Sequence, residues 1–149
     1  LMKNRIIKRD SFKVIGRRCV TPSGGGAWDV SRNDGSLKQM EEMETGQPFL
    51  GLCFGIGDDG SNDNMVGIEY GEDIIGLDSY VYPPNSWLVV EAEGKISDNI
   101  IGDAWSSIYN NILPNSGYKK SDLPTIENYV EWNDEANFCK IEIRIPVEN

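Results

Sequence analysis

An order of predicted elements that occurs twice constrains this chain more than any other feature: strand, helix, strand, strand. In the first half, the β-branched segment 12–20 predicts a strand that ends in a cluster of Pro, Ser and Gly. Apolar residues at helical spacing predict a helix near 34–44. The Asp-Gly pair at 34–35 either interrupts a longer helical segment or marks the start of its regular part. The runs 49–56 and 65–70 flank an acidic, glycine-containing turn and therefore predict a hairpin.

The second half repeats this order with a clearer periodicity. The run 87–92 predicts a strand, and apolar residues recur at spacings of four, three and four in a helix predicted over 98–113. Pro114 disfavours the helical conformation for the residue before it, so we expect the helix to end there. Two final strands are predicted over 125–132 and 139–146.

Together the two halves predict an α+β fold, in which both helices cover one face of an antiparallel sheet. A chain of 149 residues suffices for one well-buried core, so we expect a single domain over 1–149. Its halves span about 12–76 and 77–149, after a basic N-terminal segment over 1–11 that is a solvated tail or folds onto the acidic body.

The last predicted strand shows which side chains face away from the helices. Side chains alternate along a strand, so Ile141, Ile143 and Ile145 share one side, which we assign to the core under the helices. Glu142 then lies on the opposite face, where it is open to a groove or to solvent.

The charge of the chain is acidic and unevenly distributed. The formal net charge is −10, yet residues 1–18 hold seven of the fourteen Lys and Arg. An acidic body repels phosphate backbones and attracts cations, which disfavours direct nucleic-acid binding, although such surfaces also serve solubility. No apolar run reaches membrane-spanning length, and the first residues lack a signal peptide's apolar stretch. We therefore expect a cytoplasmic protein that does not bind membranes.

Cysteine and histidine usage narrows the chemistry. Cys19, Cys53 and Cys139 are odd in number and widely separated, so we expect unpaired thiols in a reducing compartment. The absence of histidine excludes Ser-His-Asp and Cys-His nucleophiles and histidine metal ligands. We expect no metal site and no cofactor, and any catalysis must use carboxylates, tyrosines or lysines.

Several segments carry a family resemblance when their order and spacing are taken together. The chain reads FKVIG at 12–16, WSSIY at 105–109, LPNSGY at 113–118, PTIENY at 124–129 and IEIRIPV at 141–147. These segments resemble the effector-binding domain of AraC-type and MerR-type bacterial regulators, which also occurs alone in GyrI-like and integron-cassette proteins. The resemblance covers nearly the whole chain, except a glycine loop and much of the first helix.

The resemblance implies two pseudo-symmetric βαββ units with a ligand cleft on the sheet side where the halves meet. It also implies lipophilic or cationic drugs and dyes as ligands, held by aromatic side chains and by a glutamate of the last strand, here Glu142. The family usually has an aromatic residue two positions later, where this chain has Arg144. Strand rise separates the two side chains by about 6–7 Å, so the guanidinium could neutralise the carboxylate. Whether it does stays open at this point.

Aromatic residues supply the remaining candidates for ligand binding. Trp105 fits a core position and also a cleft floor, while Tyr109 and Tyr129 fit an aromatic wall or ordinary packing. Glu69 is a second candidate acid, supported only by its strand position. Three weaker candidates are Trp87, Tyr82 and Phe54.

Three functions follow from these features. The leading hypothesis is a stand-alone module that binds or sequesters a lipophilic, cationic compound. The second is a hydrolase of reactive alkylating compounds, in which Glu142 and Tyr129 or Tyr109 activate water. The third is an effector-sensing module with a regulator as partner, and a homodimer stays open as well. Residues 1–11 are too few for a helix-turn-helix, so we expect no DNA recognition of the fused type.

Overall fold

The computed structural model describes residues 3–148 and confirms an α+β fold of antiparallel strands. Its contacts divide the chain into two compact units. Unit A comprises residues 10–84, and unit B comprises, among the described residues, 3–9 and 85–148. In chain order the elements are β1 (Lys3–Arg9), β2 (Phe12–Thr21), α1 (Gly26–Asn33), α2 (Ser36–Glu42), β3 (Leu50–Ile56), β4 (Asn62–Glu69), β5 (Asp78–Tyr82), β6 (Asn85–Gly94), α3 (Ile100–Ser107), β7 (Lys119–Lys120), β8 (Thr125–Asn133) and β9 (Phe138–Glu148).

Unit A is a four-stranded antiparallel arrangement in the order β3-β4-β2-β5. Ile15 and Ile68 face each other across β2 and β4 and form the centre of its helix-side core. Ala27 of α1 and Met40 of α2 pack against them, so both helices cover the same side of this unit. Gly35 adopts φ 85° and separates α1 from α2, as the interruption predicted at 34–35 requires.

Unit B has the order β1-β6-β9-β8, and β7 pairs with part of β9. The buried isoleucines Ile141, Ile143 and Ile145 pack with Ala104 and Ile108 of the helical segment. This arrangement confirms that the isoleucine side of the last strand lies under a helix. Glu142 consequently projects from the other face of the same sheet.

The internal repeat is visible in the pairing of the strands. In unit A the third strand of the repeat, β4, lies between the second, β3, and the first, β2. In unit B the corresponding strand β9 lies between β8 and β6 in the same way. Each unit adds one strand beside its first: β5 next to β2, and β1 next to β6. Two units of the same βαββ topology therefore make up the fold.

Two of these strands were not predicted as strands. The basic segment Lys3–Arg9 pairs with β6 over its whole length, so of the two alternatives left by the sequence it folds onto the body and is not a tail. The segment Asp78–Tyr82 forms the strand β5, in which Tyr80 and Tyr82 pair with β2 and Val81 between them is 52% exposed. Two following prolines masked this short alternating pattern.

The predicted end of the long helix at Leu113 was wrong. After α3, a wider π-helical turn over Ile108–Ile112 leads into a last helical turn over Leu113–Asn115. Leu113 keeps helical angles, with φ −66° and ψ −46°. Pro114 lies in that last turn and donates no backbone hydrogen bond, and the π turn before it provides the change of pitch.

Two further observations concern the chemistry and the setting of the chain. Cys19, Cys53 and Cys139 are free thiols, as predicted. Within residues 3–148, every helix is too short or too polar to cross a membrane.

Candidate functional site

The face of the unit B sheet that points away from α3 carries a compact polar cluster, here called the Glu142 cluster. It consists of Arg5 on β1, Glu91 on β6, Asn128 on β8, and Glu142 and Arg144 on β9. Glu91 and Asn128 lie directly opposite Glu142 on the two neighbouring strands. The side chain of Glu142 is only 12% exposed, so the sheet holds this carboxylate in a largely desolvated position.

Both carboxylate oxygens of Glu142 accept hydrogen bonds. Arg144 Nη2 donates to Oε1 over 2.8 Å, and Asn128 Nδ2 donates to the same oxygen over 3.2 Å. Arg5 Nη2 donates to Oε2 over 3.1 Å, while its Nη1 lies 3.1 Å from Glu91 Oε2. The question left open by the sequence is thus resolved: Arg144 does pair with Glu142, and Arg5 is a second cationic partner.

These partners determine the ionisation of Glu142. Burial by itself raises the pKa of this carboxyl, but the hydrogen bonds and charges of Arg144 and Arg5 outweigh burial and lower the pKa below its usual value. Glu142 is therefore ionised throughout the physiological range, and it is a weaker base than an unpaired glutamate would be.

Two buried atoms beside this ion pair have no hydrogen-bond partner in the described part of the chain. They are Arg144 Nε, a donor, and Asn128 Oδ1, an acceptor, and Asn128 is only 7% exposed. Buried polar atoms are nearly always satisfied by protein, water or ligand. Within the described residues, the Glu142 cluster thus has one donor and one acceptor that no protein group satisfies.

Three of the predicted aromatic residues lie on the opposite side of unit B. Tyr129 pairs with Ile141 across β8 and β9, so it shares the helix side of the sheet. Trp105 of α3 packs against the same core, and its ring stacks on Tyr109 at 5.7 Å between centroids. The structure therefore brings these three residues together, but on the face that does not carry Glu142.

Glu127 joins these aromatic side chains and was not among the predicted site residues. Its Oε2 accepts a hydrogen bond from Trp105 Nε1 over 2.7 Å, and its Oε1 accepts one from Tyr129 Oη over 2.8 Å. The signal for this acid was its spacing, since Glu127 and Tyr129 are two residues apart on one strand and must share a face. Its contact with Trp105 depends on how α3 packs.

The remaining predicted residues fall in two places. Trp87 is 1% exposed and lies opposite Pro146, on the face of unit B that carries Glu142. In unit A, Phe54 and Tyr82 belong to a continuous aromatic row. The row runs from Phe12 through Tyr82 and Tyr80 to Phe54, with centroid separations of 4.7, 4.8 and 5.0 Å.

Charged residues flank this aromatic row of unit A. The guanidinium of Arg18 lies 3.5 Å from the centroid of Phe54 and pairs with Asp63 over 2.9 Å. Glu69 lies opposite Val14, which also pairs with Tyr80, so the acid shares the face of the row. Burial raises the pKa of Tyr82, which therefore stays protonated.

The repeated βαββ topology defines the class of this protein as a two-unit α+β domain. The model of the GyrI-like small molecule binding domain matches residues 2–148, and the chain belongs to that family. No match was found among curated proteins.

Solved structures share the fold. SAV2435, in a structure bound to tetraphenylphosphonium, is 18% identical with a TM-score of 0.79, covering 99% of this chain and 94% of that one. The C-terminal domain of EcmrR is 15% identical with a TM-score of 0.71, covering 100% and 99%. A hydrolase from Listeria innocua is 12% identical with a TM-score of 0.57, covering 98% and 92%. At these identities the likeness concerns the fold alone.

Proposed function

We propose that this domain binds a lipophilic organic cation, with the carboxylate of Glu142 as its counter-charge. Three observations support the proposal. The carboxylate is ionised and largely desolvated, the chain carries a formal charge of −10, and SAV2435, which shares the fold, was solved with a lipophilic phosphonium. A desolvated carboxylate attracts a poorly hydrated cation more strongly than a solvated one does.

The proposal requires a position on Glu142 that a ligand can occupy. Arg144 holds Oε1 from within the sheet, where its side chain is 19% exposed. Arg5, in contrast, is 44% exposed on a strand at the edge of unit B, and it is the residue that donates to Oε2. A ligand cation that approaches Oε2 therefore competes with a solvent-accessible side chain, not with a buried one.

Arg5 can give up this contact at low cost. Its Nη1 already lies 3.1 Å from Glu91, so the guanidinium keeps an anionic partner after it leaves Glu142. A lipophilic ligand cation replaces the charge of Arg5 at Oε2 and adds the burial of its own apolar surface, which favours the exchange. The exposed position of Arg5 at Oε2, with Glu91 as its second anionic partner, is the observation on which the proposal rests.

The hydrolase hypothesis has weaker support from the same geometry. A general base must hold a free lone pair and an elevated pKa, whereas the two guanidinium groups lower the pKa of Glu142. Tyr129, its predicted helper, lies on the other face of the sheet. Binding, as a sensor or as a scavenger, is therefore the function that the geometry favours.

The proposal is tested with two ligands of the same shape and opposite charge. Tetraphenylphosphonium and tetraphenylborate differ in charge and hardly in size, so the ratio of their affinities reports the electrostatics of the site. We expect the phosphonium to bind more tightly in calorimetric titration at low potassium. Equal affinities, or tighter binding of the borate, would contradict the proposal.

A further inference from the structure

A second cation site is suggested by the aromatic cluster on the helix side of unit B, here called the Glu127 cluster. It contains Glu127 with Trp105, Tyr109, Tyr129 and Trp132. Both oxygens of the carboxylate accept hydrogen bonds from neutral groups, an indole N–H and a phenol O–H. Such donors orient a carboxylate but leave its charge in place.

A β-bulge brings the fourth aromatic ring into this cluster. The register of β8 against β9 shifts between Tyr129 and Glu131, so Trp132 pairs with Cys139. Cys139 and Ile141 share one face, and Ile141 pairs with Tyr129. Trp132 therefore lies on the same side as Tyr129, and their rings meet edge to face at 5.9 Å. In a regular strand, three residues of separation would put them on opposite faces.

The charges of the Glu127 cluster are negative. In the part of the chain that the structure describes, no lysine or arginine pairs with Glu127. A second carboxylate adds to the charge, because Asp134 Oδ1 accepts a hydrogen bond from Trp132 Nε1 over 3.1 Å. Each indole thus donates to an anion, and its ring face carries correspondingly more negative potential.

The cluster is also accessible. Tyr109 is 49% exposed and Trp132 is 45% exposed, although large aromatic side chains are usually well buried. Glu127 and Trp105 are half-buried between these exposed rings and the core. The rings of Tyr109 and Trp132 are therefore accessible to a ligand from solvent.

We propose that the Glu127 cluster binds an alkylated ammonium group, such as the trimethylammonium of choline. Aromatic faces attract cations whose hydration shell is weak, and a nearby carboxylate supplies the counter-charge. A metal ion would need several oxygen or nitrogen ligands, and within residues 3–148 no group of three metal-binding side chains occurs. This site is separate from the Glu142 cluster, because Glu127 and Glu142 project from opposite faces of one sheet.

The test follows the four indole N–H signals of Trp28, Trp87, Trp105 and Trp132 by NMR, assigned with Trp→Phe variants. Titration with tetramethylammonium or choline at constant ionic strength should shift the signals of Trp105 and Trp132 saturably, and sodium should not. Phosphatidylcholine vesicles distinguish a lipid headgroup from a free ligand: sedimentation of the protein with vesicles identifies the lipid as the source. No saturable, alkylammonium-specific shift would overturn the proposal.

Variants make the test specific to the residues. Glu127→Gln and Tyr109→Leu should each weaken tetramethylammonium binding by about three- to tenfold. Tyr118→Leu removes an exposed tyrosine of the same unit that lies outside the cluster, and this variant should bind tetramethylammonium as tightly as the wild type does. If Glu127→Gln does not fold, the affinity of Tyr109→Leu is the decisive measurement, because the half-exposed ring of Tyr109 can be removed without disturbing the core. Unchanged affinity in Tyr109→Leu would overturn the site. Glu142→Gln should not affect tetramethylammonium binding at the Glu127 cluster. A failure of this proposal can therefore be distinguished from a failure of the proposed function at Glu142.

Discussion

Arg144 donates a 2.8 Å hydrogen bond to Glu142, the residue two positions before it on β9. The site thus carries an internal cation where the family resemblance leads one to expect an aromatic ring. The predicted consequence is a carboxylate that still attracts cations, but whose affinity for them is reduced by a charge on the neighbouring position.

The first prediction concerns this internal cation. Arg144→Met removes the charge and keeps an apolar side chain, so Glu142 loses one of its two cationic partners. We expect tetraphenylphosphonium to bind about three- to tenfold more tightly, in line with the strength of hydrogen bonds to charged groups. Lys140→Met is the matched control, because Lys140 lies on the same face of β9 without pairing to Glu142. Weaker phosphonium binding to Arg144→Met would show that the guanidinium helps to hold the ligand.

The second prediction concerns the exchange at Arg5. Arg5→Met frees Oε2 of Glu142 and should also increase affinity for the phosphonium, by about two- to fivefold, since the Arg5 side chain is partly screened by solvent. Lys8→Met carries the same change of charge on the same strand, but Lys8 alternates to the other face. Titration calorimetry of both variants separates a local effect from a change in net charge. If the two variants behave alike, Arg5 is not the residue that the ligand displaces.

The third prediction concerns pH. The pKa of Glu142 is lowered in the folded protein, so its ion pairs contribute stability above the usual carboxyl pKa, and this contribution is lost as pH falls through the lowered value. At pH 7, Glu142→Gln should therefore unfold at a lower urea concentration than the wild type, since two guanidinium groups lose their anion. In acid, below the lowered pKa, the two midpoints should converge. A difference that is independent of pH would contradict the role of these ion pairs.

The fourth prediction concerns two glycines that face each other in unit A. Gly16 and Gly67 pair across β2 and β4, and a Cβ on Gly67 would contact Ile15 O and lie 2.8 Å from Val14 Cγ1. Gly67→Ala should destabilise the fold by about 1–3 kcal/mol through overpacking, as measured by urea unfolding. Gly71→Ala, where a Cβ meets nothing within 4 Å, is the control and should change stability little. Equal stability of the two variants would contradict the close approach of these strands.

The parts of this architecture that follow a regular period were predictable from the sequence. The isoleucines of β9 alternate strictly, and their position under α3 follows from that alternation. β1 escaped prediction because its residues are mostly charged, and an edge strand needs few apolar residues to pair with its neighbour.

The candidate sites were predictable only in part, because they depend on tertiary contacts. Strand parity placed Glu142 on the sheet face, but its bond to Arg5 requires β1 and β6 to pair first. Trp132 reaches the Glu127 cluster through a bulge, which changes the parity that sequence reasoning assumes. Glu127 itself stands out only once the position of Trp105 on α3 is known.

The most direct test of the account is the affinity of Glu142→Gln for the two isosteric ions. This change keeps the shape of the side chain and removes its charge, which leaves Arg5 and Arg144 without their shared anion. We expect tetraphenylphosphonium to bind about fivefold or more weakly, a loss of at least about 1 kcal/mol, and tetraphenylborate to bind more tightly than it does to the wild type. Unchanged affinity for both ions, in a variant whose fold is verified by circular dichroism, would remove Glu142 from the binding site.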